Sequence, residues 1–322
     1  MIYVDMLWIN QEVKHMRHEN VVLFDEGGRM NIMVRFTPGE DPEPMFRIRG
    51  KIAKAVYISK YENTLIDGIP CSLPLQQPAV NVSFEEAEEL CRRKGNGWHL
   101  MTNAEWMYLQ KEAEKEGTLP HGNTDFGRSH EARTETGDVY DDMHVLTGSG
   151  PDTWSHDHTP EGVYDLCGND WEHIHGLRLH KGMIEYIKDN DAAAEETDTG
   201  ENSSEWIPVM CDGKPVGISA KNGSLKLTTD NIVRDWEGCR FREVVNGLSH
   251  TPEMLEELGI IQIDDKCKEA GFFADSALEE AIPCRGSGFG DAGGGGVGAL
   301  SWDYPRTSSG NYISFRSAYY EL

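Results

Sequence analysis

The sequence has no CxxC pair, no run of eighteen apolar residues, no visible internal repeat and no excess of basic charge. Each absence removes a class of protein. Without paired cysteines a structural zinc ribbon is excluded. Without a long apolar run there is no membrane-inserted helix. Thirty basic against fifty-five acidic residues give a formal charge of −25, so a surface that binds nucleic acid or anionic membranes is not expected. Met1 to Asn20 carries scattered charges and no apolar h-region, so a chain made in the cytoplasm without a Sec signal is expected. The seven cysteines (Cys71, Cys91, Cys167, Cys211, Cys239, Cys267 and Cys284) are widely spread and odd in number. Reduced thiols, buried as small core residues, are the simplest reading.

What is present suits a soluble globular chain. Hydrophobic residues make up 38% of 322, enough for one large domain or two ordinary ones. Residues 1–50 read as a small strand-rich segment: Val21 to Phe24, a turn at Asp25 to Gly28, then Asn31 to Phe36. The acidic, proline-bearing stretch from Pro38 to Pro44 is the best candidate boundary before a domain over residues 51–322. Ala55 to Tyr61 is a strong strand. Ser83 with Glu86 writes a capping box for a helix from Phe84 to Lys94, and Thr102 with Glu105 writes another for Ala104 to Glu116, closed by Gly117. From His121 to Pro160 helical periodicity is missing but aromatics recur, which indicates ordered loop. Gly162 to Glu172 reads as strand, Gly-Asn turn, strand. Residues 189–204 form an acidic insert expected to be mobile and surface-exposed. Thr251 is placed as the cap of a third helix, with Pro252 at its first position.

The last forty residues carry the most information. Pro283 to Gly298 is too glycine-rich for a helix. From Leu300 the pattern alternates, with Leu300 and Trp302 facing in and Ser301 and Asp303 facing out, as in a half-buried strand. A fixed frame (Arg285, Leu300, Trp302, Ile313, Phe315, Arg316) thus alternates with small, polar and aromatic positions, the pattern of a binding surface on a rigid scaffold.

Three blocks, Pro78 to Ala87, Trp98 to Trp106 and Gly162 to Glu172, resemble in content and order the signature blocks of the formylglycine-generating-enzyme superfamily. The resemblance implies an α+β, C-type-lectin-like fold of the sulfatase-modifying-factor type, with small antiparallel sheets, two main helices and much ordered loop. A narrower resemblance lies in Pro120 to Asn123, Thr147 to Pro151, Trp154 to Asp157, Gly176 to Leu179 and the pair Arg285-Gly286 with Phe315-Arg316. These look like the phage and prophage variable proteins of diversity-generating retroelements. Such proteins are rewritten at template adenines within a C-terminal variable region, here about residues 285–312. An asparagine codon so rewritten yields Gly, Ser, Asp, Tyr or Phe but not Trp, which leaves Trp302 in the frame. The chain departs from the usual pattern at Ser287, Gly288 and Phe289, at His173 in place of a second Trp, and in the long glycine run Gly293 to Gly296.

The function implied is non-catalytic ligand binding through a hypervariable surface made of Gly288, Phe289, Gly290, Asp291, Gly298, Ser301, Asp303, Tyr304, Ser308, Gly310 and Tyr312. The expected partner is a protein or glycan on a host or target cell. Display is expected on a homo-oligomer or attached to a virion tail. No cofactor is required, although the resemblance implies a structural calcium ion near Asn169 and Glu172. The alternative is a metal-dependent (iron or copper) oxidoreductase of the superfamily. It lacks the C-terminal cysteine pair, since no cysteine follows Cys284. Its metal would have to come from His156, Asp157 and His158 or from His173, His175 and His180. Trp106, Trp154 and Trp171 read as core rather than as ligand platforms.

Overall fold

A computed structural model describes residues 18–221 and 223–322. The expectation of no Sec leader falls mainly on residues 1–17, outside the described residues. Among the described residues no helix is long and apolar enough to cross a membrane.

The two capping boxes set the two main helices. Ser83 Oγ accepts from the Glu86 amide while the Glu86 carboxylate accepts from the Ser83 amide, and α1 runs over Phe84–Arg92. Thr102 and Glu105 repeat the arrangement for α2, Asn103–Glu116, which Gly117 ends in the left-handed region at φ 72°. α2 turns Trp106, Leu109 and Ala113 into the core. Its Trp106 indole donates to the Val297 carbonyl at 2.9 Å, tying the helix to the glycine-rich terminal loop. The third helix is shorter than expected. α3 covers Glu253–Glu257, its N-cap is Pro252, and no side chain caps it. The Thr251 hydroxyl is engaged elsewhere, accepting from Asn246 Nδ2 at 2.9 Å.

Two sheets carry the chain. The first is antiparallel, with strands in the order His18–Phe24, Met30–Phe36, Ala55–Ser59, Ser317–Glu321, Trp98–Leu100. The C-terminal strand therefore lies inside the sheet, with Ala318 opposite both Ile58 and His99. The second sheet is a long curled one. Its centre runs Trp236–Arg240, Gly271–Asp275, Leu300–Tyr304, Glu280–Arg285, Leu177–His180. Most pairings are antiparallel, but Leu300–Tyr304 runs parallel to Gly271–Asp275, with Phe272 opposite Leu300 and Ala274 opposite Trp302. The largest core cluster gathers Trp302, Phe272, Phe241, Leu177 and Leu179 on this sheet, and a second gathers Val34, Phe36, Phe46, Trp106 and Leu109. In the block from Gly162 to Glu172 only its end is strand, Trp171–His173. Gly168 and Asn169 both take positive φ, at 73° and 64°, which makes the tight turn before it.

The acidic insert 189–204 is the exposed loop expected from its composition only in its second half, where Glu195, Glu196, Asp198, Gly200, Glu201 and Asn202 are exposed; its first half is packed. Ala192, Ala193 and Ala194 are buried, and Asn190 is fully so. Asn190 Nδ2 donates to the Met45 carbonyl at 2.8 Å and to Glu105 Oε1 at 3.0 Å, and its Oδ1 accepts from the Thr102 hydroxyl at 2.6 Å. The insert thus braces the start of α2. Its charges misled because the three alanines and Asn190 between them carry the packing.

Asn190→Ala removes a hydrogen bond from each of three buried polar partners, so a loss of about 2–4 kcal/mol in urea unfolding is expected; a solvated insert would give a change within about 0.5 kcal/mol.

Candidate ligand-binding surface

The terminal segment begins where the strand Glu280–Arg285 ends. Gly286 (φ 93°) and Ser287 (φ 74°) reverse the chain. A Cβ on Gly286 would come within 3.0 Å of the Trp106 ring and 3.1 Å of the Leu166 carbonyl, so glycine is required there. Ser287 Oγ then accepts from the amides of Gly168 and Gly296 at 3.2 and 3.1 Å, pinning both sides of the glycine loop.

The structure buries all six frame side chains, each at 0% exposure. Among the described residues Arg285 reaches no carboxylate. Its Nε donates to Asn103 Oδ1 at 2.8 Å and its Nη2 to the Leu258 carbonyl at 2.7 Å, and burial pulls its pKa down to about 9. Arg316 is bidentate on Glu172, at 2.6 and 2.5 Å, and donates further to the carbonyls of Ser59 and Tyr164. Burial disfavours its charge, but the Glu172 carboxylate outweighs that and raises its pKa.

The eleven positions read as outward do not share one environment. Gly290 and Tyr312 are exposed, and Phe289, Asp291, Asp303, Tyr304, Ser308 and Gly310 are half-buried. Gly288, Gly298 and Ser301 are buried, which corrects their reading as surface positions. Ser301 lies on an inner strand, between Phe273 of Gly271–Asp275 and Cys284 of Glu280–Arg285, and is 2% exposed, so the face read as outward is covered. Gly288 lies against Trp171, which an added Cβ would meet at 3.2 Å, and Gly298 lies against Cys267, at 3.1 Å.

The exposed positions gather around aromatic side chains from elsewhere in the chain. Phe289 packs its ring on Phe126 and edge-on to His144, with centroids 5.7 and 4.6 Å apart. Tyr304 and Tyr312 lie 6.1 Å apart. Asp303 accepts from the indole of Trp236 at 3.0 Å, and burial pushes its pKa up to about 6. Sequence reasoning missed Phe126 and Trp236, both more than half exposed. The available signal was that each aromatic follows an aspartate in a polar stretch, where a core residue is not expected.

Beside the glycine run lies a cavity of about 330 Å³, walled by Gly293 and Gly295 to Gly298 on one side, His121, His130 and Glu131 on another, and Arg240 and Lys266 at its edge. Arg240 Nη1 donates to the Gly293 carbonyl and to the Glu269 carboxylate, both at 3.0 Å. The four glycines of the run are not equivalent. A Cβ on Gly294 meets nothing within 4 Å and one on Gly293 nothing closer than 3.6 Å. On Gly295 it would stand 2.5 Å from Thr124 Cγ2, and Gly296 sits at φ 150°. The first two can carry side chains, Gly293 at the cavity wall and Gly294 in open space, whereas the last two are held to glycine by sterics.

Under the surface lies a set of buried acids. Glu62 accepts from Ser314 Oγ at 2.9 Å and from Asn169 Nδ2 at 2.8 Å. Asp170 Oδ1 lies 3.3 Å from His144 Nε2. Burial pushes Asp165 and Asp170 up to about 6 and raises Glu62 well above the ordinary range. The His144 imidazolium is disfavoured by burial, but the carboxylates of Asp170 and Asp141 outweigh this and raise it to about 9. Asn169 and Glu172 do not fit the calcium ion that the resemblance implied. Both Glu172 oxygens are on Arg316. Asn169 Oδ1 already accepts from the Val145 amide at 2.9 Å and from Asn123 at 3.2 Å.

The histidines do not assemble as the metal alternative required. His173 and His175 both lie edge-on to Phe84, and burial lowers each to about 4. His173 Nδ1 lies 3.5 Å from Cys284 Sγ, and burial raises that thiol; the pair is neutral, the reverse of an activated thiolate. His156 and Asp157 converge with His18 rather than with His158. The His156 Nδ1 accepts from the Val163 amide at 2.9 Å. The neutral ring therefore carries its proton on Nε2 and offers no free lone pair to a metal.

Residues 58–205 match the Sulfatase-modifying factor enzyme 1-like domain. The fold is of that α+β, C-type-lectin-like kind. The match takes in both capping boxes and Glu172, and stops short of the frame and the glycine loop. No curated protein matches the chain. Among solved structures, PvdO from Pseudomonas aeruginosa is 13% identical, with a TM-score of 0.39 over 94% of this chain and 99% of that one. The Major Tropism Determinant P3c variant is 14% identical, with a TM-score of 0.35 over 95% of this chain and 62% of that one.

Replacing Arg316 with Leu leaves Glu172 buried and unpaired, and chemical denaturation should show a loss of about 3–5 kcal/mol. The raised carboxyls give a second expectation. Between the ordinary carboxyl range and about 6 the folded protein binds more protons than the unfolded chain, so stability contributed by these groups falls as pH rises through that window. Asp170→Asn should reduce the fall between pH 4 and 7; an unchanged pH profile of the melting temperature would exclude Asp170 as a contributor.

Proposed function

We propose that this chain is a non-catalytic ligand-binding protein whose recognition surface is the terminal segment, diversified by a retroelement, and that it recognises a protein or glycan on a target cell. The observation that carries the proposal is the division within residues 285–316. Six fully buried residues anchor the segment at both ends and along the strand Leu300–Tyr304. Between the anchors, two loops expose aromatic, small and acidic side chains. Phe289, Tyr304 and Tyr312, with Phe126 and Trp236 beside them, supply broad contact area at low entropic cost, and the Gly, Ser and Asp positions adjust the fit.

Changes in the loops leave the frame unaffected, because the frame's hydrogen bonds go to Asn103, Leu258, Glu172, Ser59 and Tyr164, none of which lies in the loops. The cavity beside the glycine run adds a concave element to this surface. One such patch binds weakly, so display in several copies, on a homo-oligomer or a virion tail, would supply avidity.

The oxidoreductase alternative finds no support in the site. Its C-terminal block contains Cys284 as its one thiol, buried and neutral beside His173.

Sequencing the gene in related isolates tests the proposal. Substitutions should concentrate at Phe289, Gly290, Asp291, Gly293, Gly294, Asp303, Tyr304, Ser308, Gly310 and Tyr312. Arg285, Gly286, Gly295, Gly296, Trp302 and Arg316 should stay constant, and a near-identical template repeat and a reverse-transcriptase gene should lie nearby. Substitutions spread evenly along the chain would sink it. Stoichiometric copper or iron in the purified protein, with thiol oxidation to match, would favour the oxidoreductase instead.

A further inference from the structure

Away from the terminal segment, a two-residue strand pair, Met210–Cys211 with Lys214–Pro215, closes on a turn in which Asp212 and Gly213 both take positive φ, 50° and 74°. The turn sets the Asp212 carboxylate next to the Cys211 thiol. The loop that precedes α3 brings Ser249 and His250 onto the same spot from thirty-seven to thirty-nine residues away.

We propose that Cys211, Asp212 and His250 form a binding site for one transition-metal ion of the zinc(II) class. Cys211 Sγ lies 3.7 Å from His250 Nδ1, and His250 Nδ1 lies 3.6 Å from Asp212 Oδ1. The three ligand atoms all fall within 4.8 Å of one another. Zinc bonds of about 2.3 Å to sulfur and about 2.0–2.2 Å to nitrogen and oxygen, at tetrahedral angles, put neighbouring ligand atoms about 3.3–3.6 Å apart. The two separations that involve His250 are close to those edges, and the sulfur-to-carboxylate edge, within 4.8 Å, closes by a turn of the exposed Asp212 side chain.

Ligand chemistry narrows the choice of ion. One thiolate, one imidazole and one carboxylate form a borderline set that favours zinc over calcium or magnesium, which take oxygen donors. Ser249 Oγ lies beside the three ligand atoms. It lies 3.5 Å from the sulfur and 3.3 Å from the imidazole nitrogen and is hydrogen-bonded to Asp212 Oδ2. That hydroxyl either completes the tetrahedron or yields its place to a water. Binding displaces the Cys211 thiol proton to solvent and leaves the imidazole neutral, so affinity rises with pH. The ion would tie the strand pair 210–215 to the loop before α3. His250 and Asp212 are more than half exposed, so the ion has a path in from solvent. The other group of three ligands, His18, His156 and Asp157, lacks a usable His156 lone pair and does not compete.

The test is a titration of the full, metal-stripped chain with zinc(II) by calorimetry and with cobalt(II) by absorption. One equivalent should bind, with a thiolate-to-cobalt charge-transfer band in the near ultraviolet and a rise in melting temperature on adding zinc. Cys211→Ser should abolish the band. His250→Ala and Asp212→Ala, both at exposed positions and each checked for a native circular-dichroism spectrum, should each weaken zinc binding at least tenfold, whereas Cys239→Ser, which removes the half-exposed thiol, should bind as the parent does. No stoichiometric binding by the parent, or zinc affinity unchanged in both His250→Ala and Asp212→Ala, would overturn the assignment.

Discussion

Arg316 is fully buried with its guanidinium laid along the Glu172 carboxylate, and its remaining donors reach the backbone at Ser59 and Tyr164. The strand Ala55–Ser59, the turn at Tyr164 and Asp165, the strand Trp171–His173 and the C-terminal strand meet on this one side chain. A buried pair of this kind gives weak evidence of net stability, because removing both charges from water cancels much of their attraction. Its consequence here is positional. Four segments distant in sequence are held in one register, because any shift would leave a charge unpaired. Around it stand Glu62, Asp165 and Asp170, all buried, and that burial raises the pKa of each. The neighbouring acids remain tolerable by being protonated or hydrogen-bonded to Ser314, Asn169 and the Gly148 amide.

This constraint explains why the end of the chain can serve as a platform. Ser314 to Ser317 are fixed by side chains outside the loops: Ser314 by Glu62, Arg316 by Glu172, and Ser317 by Asn63 and the buried Lys94. The other end is fixed by Arg285 on Asn103 and Leu258, at the start of α2 and the end of α3. The strand Leu300–Tyr304 is held between two neighbours. Only the stretches between these anchors are free of structural duty, and even within them Gly288, Gly295 and Gly296 are committed by close contacts or positive φ. The freedom to vary is thus narrower than the glycine content suggests.

Much of the scaffold was legible in the residues. Both capping boxes form, the turn at Gly168-Asn169 forms, and the hairpin of Val21 to Phe36 forms, since each depends on groups within a few positions of one another. The identity of the buried frame could be read from alternation and from the Arg and Trp residues in it. Three readings went astray for a common reason. Ser301 looked outward because alternation marks one face as polar without saying whether that face is covered. The insert 189–204 looked solvated because its charges outnumber its alanines, yet the alanines and Asn190 found a place under α2. Thr251 looked like a cap, but its hydroxyl is held by Asn246.

By itself the sequence determined the local structure of this protein, namely its helix starts, its turn glycines, its strand periodicity and the fold family to which residues 58–205 conform. Those features rest on backbone sterics and hydrogen bonds closed within one or two turns of chain. Only the tertiary structure decided which outward-reading positions reach solvent, which glycines can be replaced, that Asn169 and Glu172 are engaged by protein partners, and that Cys211, Asp212 and His250 converge. Burial and convergence are set by what arrives from tens or hundreds of residues away, and no local pattern records that arrival.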